Sequence, residues 1–155
     1  MNLFKKNYNL YAPVSGKMIM IEDVPDKTFS NKVLGDGVAF QVEGDKVYSP
    51  CNGKITLIAD TKHALIIENE NGVEVMIHIG LDTVELNGEG FEVSVKTGQK
   101  VKKGQLLVEI DKEVMKKNNI DLTTMMILID TKDKKYSREE GVTDVEPRKN
   151  VVISF

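Results

Sequence analysis

The sequence predicts an all-β fold: a single domain of antiparallel strands in a β-sandwich or barrel-sandwich hybrid, with a duplicated motif and one or two short helical turns. Short β-branched and Met-rich runs are interrupted by glycine or proline at intervals of roughly eight to twelve residues, the texture of sandwiches and barrels. Tyr11-Ala12-Pro13-Val14-Ser15-Gly16-Lys17 and Tyr48-Ser49-Pro50-Cys51-Asn52-Gly53-Lys54 set an aromatic, a proline, a glycine and a lysine at the same offsets, 37 residues apart. Two copies are too few for a solenoid, so they read as one motif duplicated inside one core. The third observation is a hairpin. Apolar runs at 64–67 and 73–79 flank Glu68-Asn69-Glu70-Asn71-Gly72, and Asn-Gly in that setting is the strongest short-range hairpin signal.

Residues 1–10, with Leu3, Phe4, Tyr8 and Leu10 around two lysines, read as a flexible N-terminal segment, and 11–155 as the folded domain. Each Pro-x-x-Gly marks a turn that feeds a strand. Between the two copies, 21–29 (IEDVPDKTF) is a loop by its Asp-Val-Pro-Asp content. One helical turn is expected over 32–34, after which Gly35-Asp36-Gly37 releases the chain into a strand over 38–42. Beyond the hairpin, Gly80, Gly88 and Gly90 among Asp82, Thr83 and Glu89 give a bent, exposed segment. Strands over 93–95, 99–102 and 106–110 alternate with Gly98 and Gly104, and Asp111 caps a short helix over 112–118. Leu128, Val142 and 151–155 fall in the last strands, and Lys132-Asp133-Lys134-Lys135 is a solvated loop.

Composition excludes several functions. At 155 residues the chain can bury roughly two thirds of its unfolded surface in one core. Its 21 basic and 24 acidic residues leave a net charge of -3 with no long block of one sign, which argues against a nucleic-acid partner. The longest apolar run, 125–129, is far too short to cross a bilayer, and the N-terminus lacks an apolar signal core. No stable membrane insertion and a cytoplasmic location are expected. Cys51 stands alone, so no internal disulfide forms, and it reads as a small buried residue rather than a nucleophile.

The chemistry gathers at the hairpin, which holds both histidines of the chain, His63 and His78. A two-residue Asn71-Gly72 turn leaves them diagonal, and a four-residue loop sets them directly opposite. Both registers put the two imidazoles on one face, roughly 5 to 8 Å apart at Cβ. Three functions fit such a pair. One imidazole can attack a phosphoryl group while the other steadies the transferred oxygens. Both can bind a zinc ion with Asp82 or another carboxylate, as in a zinc-dependent hydrolase, although no His-x-His or His-Glu-x-x-His pattern supplies a third ligand. The chain can also be a non-catalytic module, since 98–107 (GQKVKKGQLL) looks like the turns of biotinyl and lipoyl carrier domains, without their acceptor lysine. The pattern leaves the first two open.

Three stretches carry a resemblance: 78–91 (HIGLDTVELNGEGF), Asp60-Thr61-Lys62-His63-Ala64 and 21–26 (IEDVPD). With them the chain resembles the glucose-class IIA component of the bacterial phosphoenolpyruvate:sugar phosphotransferase system, over about 11–111 and thinning toward both ends. The resemblance implies a β-sandwich that takes a phosphoryl group from the phosphocarrier HPr and passes it to a cysteine of a IIB domain. Enzymatically the resemblance implies a phosphotransferase component, with a covalent phosphoryl group on His78 in place of a cofactor and no metal required. Protein targets regulated by its phosphorylation state are a further implication.

By the same resemblance, His78 matches the histidine phosphorylated on Nε2, and His63 the second histidine, which contacts the phosphoryl oxygens. Thr61 matches the threonine whose hydroxyl fixes the His63 tautomer, and Gly80 the residue whose carbonyl accepts from Nδ1-H of His78. Asp26 and Asp82 match two rim acids. Repulsion from a phosphohistidine makes them unsuited to the phosphoryl group, so they are expected to bind arginine on a partner. Phe29, Met76 and Val84 match an apolar ring for docking, with core packing as the alternative, a better fit to Val84 than to Phe29. The sequence departs from the family where Met76 replaces an aromatic, Lys62 replaces an Asn, and Leu122-Thr123-Thr124-Met125-Met126 replaces Thr-Pro-Val-Val.

Overall fold

The computed structural model of the protein describes residues 7–141 and 143–155; residues 1–6 and Val142 lie outside it. The chain begins with β1 (Leu10–Tyr11), β2 (Gly16–Met20), a 3-10 turn at Ile21–Asp23, α1 (Lys27–Ser30) and β3 (Asp36–Val42). It continues through β4 (Lys46–Tyr48), β5 (Gly53–Ile58), β6 (Ala64–Asn69), β7 (Glu74–His78), a second 3-10 turn at Thr83–Leu86 and β8 (Phe91–Val93). The remainder is β9 (Lys100–Val101), β10 (Leu106–Ile110), α2 (Lys112–Lys117), β11 (Thr124–Asp130), β12 (Ser137–Arg138), β13 (Asp144–Val145) and β14 (Val151–Ser154).

One eight-stranded antiparallel sheet, in the order β13-β2-β3-β11-β7-β6-β5-β9, faces two three-stranded sheets, β1-β14-β12 and β4-β10-β8. The main core lies between them, with Val38, Phe40, Ile55, Leu65, Ile67, Val75, Ile77 and Met126 from the large sheet fully or almost fully buried. Strand alternation turns the other set of residues outward. There a second apolar cluster forms from Ile21, Val24, Phe29, Ala39, Leu81, Met125 and Ile127. It seats the strap, residues 21–36, against the outer face beside His78.

The duplicated motif is a real structural repeat. The Tyr11 amide donates to the Pro50 carbonyl at 2.9 Å and the Tyr48 amide to the Pro13 carbonyl at 2.8 Å, so each copy hydrogen-bonds the other. Gly16 and Gly53 open equivalent strands, and a Cβ on either would stand 2.1 or 2.2 Å from a carbonyl oxygen of the neighbouring strand. The order of the large sheet reads the same from both ends when β13 is matched with β9, β2 with β5, β3 with β6 and β11 with β7. Val145 pairs with Gly16 as Val101 pairs with Gly53.

Local details differ from the sequence reading. The helical turn lies at Lys27–Ser30 rather than at 32–34, because Asp26 accepts from the Thr28 amide at 2.9 Å and caps the turn. Asp111 caps α2 as expected, accepting from Glu113 and Val114 amides. Leu10 is fully buried in β1 and the Asn9 side chain accepts from the Phe155 amide, so folded structure begins before residue 11. The earlier part of the N-terminal segment expected to be flexible, 1–6, lies outside the described residues, as does the strand position of Val142.

Candidate functional site

The site sits on β7 next to the centre of the large sheet. Glu68 pairs with Glu74, and the Asn69 amide donates to Val73 across a three-residue loop, Glu70-Asn71-Gly72. That loop has one residue more than the two-residue turn and one less than the four-residue loop considered above, and the difference reverses parity. Ala64, not His63, lies directly opposite His78. The imidazoles meet nonetheless, with ring centroids 4.8 Å apart and edge-to-face at 81°. His63 precedes the first residue of β6 and follows Lys62, which is left-handed at a φ of 62°, so strict alternation does not govern its side chain. The small Ala64 leaves room for the second ring in front of His78.

Hydrogen bonds orient both rings and fix the tautomer of His78. His78 Nδ1 stands 3.0 Å from the Gly80 carbonyl oxygen, and a carbonyl only accepts, so Nδ1 carries the proton and Nε2 keeps its lone pair. Gly80 itself is left-handed at a φ of 77°, and a Cβ there would stand 2.5 Å from Thr83 Cγ2. The Thr83 hydroxyl donates to the Ile79 carbonyl, holding the segment after His78 in this turn. On the other side, Thr61 Oγ1 stands 2.7 Å from His63 Nδ1. A hydroxyl that donates to Nδ1 selects the tautomer with its proton on Nε2, the form in which His63 can donate to a ligand.

Burial, and then the neighbouring His63, hold the His78 pKa down at about 4. The Gly80 carbonyl, Asp26 and Asp82 act in the opposite direction, so both carboxylates lie within electrostatic reach of the ring. Burial also lowers the pKa of His63. Near neutral pH His78 is therefore an uncharged, half-buried imidazole beside the buried ring of His63.

The structure brings His63, His78, Thr61, Gly80 and Phe29 into direct contact. The Phe29 ring lies 4.9 Å from that of His78, tilted by 57°. Phe29 is only 6% exposed, whereas Val84 is 51% exposed. The relative preference for core packing at Val84 is thus corrected: the capped turn folds Phe29 down onto the sheet, while Val84 rides outward on the second 3-10 turn. Met76 is half-buried on the same face as His78, in a cross-strand row running Ile127, Met76, Ile66 and Leu57. Ile66 and the exposed Leu57 extend the apolar rim and were missed; their only signal is outward parity in β-strands that are apolar on both faces. Asp82 is left-handed at a φ of 57° and borders a depression of about 590 Å³ together with Pro25, Leu81, Glu85 and Asp121.

The donor set does not fit a zinc hydrolase. Among the described residues no group of three or more His, Cys, Asp or Glu side chains is placed to hold a metal ion, and a catalytic zinc needs three protein ligands besides its open position. Cys51 is buried away from the site, its thiol pushed up to about 12 by desolvation.

Comparison with known proteins points one way. Residues 8–134 match the family model described as phosphoenolpyruvate-dependent sugar phosphotransferase system, EIIA 1. The chain is 39% identical over 158 residues to the PTS system glucose-specific EIIA component of Oceanobacillus iheyensis, covering 98% of this chain and 96% of that one. It is 40% identical over 144 residues to the PTS system glucose-specific EIICBA component of Staphylococcus saprophyticus, covering 93% of this chain but spanning only 21% of that longer protein. Among solved structures it matches the glucose permease IIA from Mycoplasma capricolum with a TM-score of 0.87 at 35% identity, over 99% of both chains. No helix among the described residues is long and apolar enough to cross a membrane.

Proposed function

Because the chain belongs to the EIIA 1 family of the phosphoenolpyruvate-dependent sugar phosphotransferase system, whose members are phosphocarriers in sugar uptake, we propose that Nε2 of His78 is the atom that carries the phosphoryl group. The observation that carries this is the 3.0 Å bond from Nδ1-H to the Gly80 carbonyl, which leaves Nε2 free beside His63. The lone pair of Nε2 attacks the phosphorus of phosphohistidine on HPr; the P-N bond to HPr breaks and its ring nitrogen leaves with the electron pair. A cysteine thiolate of a IIB domain then attacks the same phosphorus and releases neutral His78. His63 Nε2-H donates to an equatorial oxygen, where negative charge is spread in the transition state. The transfer as written uses no metal.

Partners dock on the outer face. Met76, Ile66, Leu57 and Val84 give it an apolar surface, and Asp26 and Asp82 supply rim charges suited to arginine. The relatives bear glucose in their names, and a IIB segment within the Staphylococcus EIICBA chain fits the acceptor assigned here. We place this exchange in the cytoplasm, a reducing setting that suits a lone buried thiol. Incubation with phosphoenolpyruvate, enzyme I and HPr is expected to add one acid-labile phosphoryl group to the wild type and none to His78→Ala. Label on the His78→Ala protein would overturn the assignment.

A further inference from the structure

The strap is attached to the sheet in an unusual way. Among the described residues, every backbone-to-backbone hydrogen bond made by 22–34 stays inside the strap, such as Ser30 to Asp26 and Val33 to Thr28. Side chains alone therefore hold it down. On one side they are apolar: Ile21, Val24 and Phe29 are buried against Leu81, Met125 and Ile127. On the other is a cluster centred on Arg138, in β12. Its guanidinium donates to both oxygens of Glu22, at 2.5 and 3.2 Å, and lies 3.2 Å from Asp36 Oδ1. Lys32 lies 3.3 Å from Asp36 and 3.8 Å from Glu22, and the Tyr136 hydroxyl donates to Asp36 at 2.8 Å.

Glu22 and Asp36 are the two bases of the strap. From the geometry we infer that Arg138 is a positioning residue for His78: by joining those two bases it closes the strap and keeps the Phe29 ring packed on the reactive imidazole. A bidentate, part-buried arginine suits this role because its planar fork fixes both position and angle, which a lysine ammonium would not. Two cations, Arg138 and Lys32, meet two carboxylates, so the clamp is neutral. The Arg138 pairing holds the Glu22 pKa at about 2, so the clamp persists across ordinary pH.

The inference concerns the dehydration of His78 and can be read without any phosphoryl donor, so its failure is separable from failure of the phosphocarrier assignment. The titratable groups facing His78 are His63, from the segment before β6, Asp26 from the strap and Asp82 from the segment after β7; β11 offers Met125 directly opposite, without charge. The two histidines of isotope-labelled protein are titrated by NMR in wild type, Arg138→Gln, Arg138→Lys, Glu22→Gln and, as a control, Lys132→Gln, which removes an exposed cation that pairs with Asp130 and faces Glu68 and Glu74 but touches neither the strap nor His78. A loosened strap admits water, so the His78 midpoint is expected to rise by about one pH unit toward the ordinary histidine value in Arg138→Gln and Glu22→Gln. Arg138→Lys should restore part of the shift and Lys132→Gln should leave it unmoved. A simple field effect cannot mimic this, because removing the Arg138 cation and removing the Glu22 anion push a nearby imidazole in opposite directions. A His78 midpoint that stays put in both variants, or that rises in Arg138→Gln and falls in Glu22→Gln, overturns the inference. Should Arg138→Gln fail to fold, a rise or its absence in Glu22→Gln decides.

Discussion

At the scale of single residues, the site depends on keeping one imidazole neutral and correctly protonated. The depressed His78 pKa has a consequence for stability. Its folded value of about 4 lies below the ordinary 6.5, so between those limits the unfolded chain binds more protons than the folded one. The His78 contribution to stability is complete above pH 6.5 and is lost as pH falls through that window. Urea midpoints measured from pH 7 down to 4 should fall more steeply for wild type than for His78→Gln, and equal slopes would contradict the burial argument. Thr61 acts one step back. Thr61→Val removes the hydroxyl that selects the His63 tautomer while keeping the side-chain shape. If His63 loses a charge-assisted bond worth roughly 1.5 to 3 kcal/mol in the transition state, phosphoryl uptake slows about ten- to a hundredfold with little change in melting temperature. These residues were legible because each lies within a few positions of a histidine. The proximity of the rings was legible for an incomplete reason. The expected registers assumed an even loop, whereas the three-residue loop shifts pairing by one and the departure of the chain at Lys62 brings His63 back.

At the scale of elements, short segments combine structural and functional duties that a sequence cannot separate. Asp26 is both the cap of α1 and a rim charge, and Asp82 occupies a left-handed position that Asn also tolerates. This permits a clean partition. Asp26→Asn and Asp82→Asn keep the cap and the backbone but delete charge, so they should leave thermal stability within about 0.5 kcal/mol while raising the KM for HPr and flattening its salt dependence. Asp26→Ala should in addition cost about 1 kcal/mol through the lost cap, read as a lower urea midpoint. Unchanged KM and salt dependence in both Asn variants would mean that the carboxylates serve the fold alone. The helix over α2 was legible from Asp111, whose cap precedes a favourable helical run. Lys27–Ser30 was not, because Asp-Val-Pro-Asp reads as turn until Asp26 is seen bonding to Thr28. The Arg138 clamp had no local signal at all: its partners stand 116 and 102 positions away, and only the scarcity of arginine, found at 138 and 148 alone, set it apart.

At the scale of the whole molecule, the two halves of the repeat share an approximate two-fold relation about the Ile77 and Met126 pair, and they differ around the two histidines. Register makes Ile127 the counterpart of His78: Met76 pairs with Ile127 as Met125 pairs with His78. The connection between β2 and β3 is expanded into the strap and covers Ile127, whereas the equivalent connection between β5 and β6 is a tight turn that supplies His63 and leaves His78 accessible. One half of the symmetric pair thus carries a covered apolar residue and the other the histidine pair. The halves are also interleaved, since β4 to β10 are inserted between β3 and β11 and both halves meet in the same sheet. Neither has a core of its own, so the chain should unfold as one cooperative unit, with fluorescence of an engineered probe and far-UV circular dichroism giving the same urea midpoint. The glycines at the repeat test this symmetry. Gly16→Ala and Gly53→Ala each drive a methyl into a carbonyl of the adjacent strand, at nearly equal distances, and overpacking of this kind costs about 1 to 3 kcal/mol or more. Both substitutions should lower that single midpoint by similar amounts without splitting the transition. A biphasic curve in either variant would show that the halves hold their structure independently, and that the reactive half needs its partner less than the shared sheet implies.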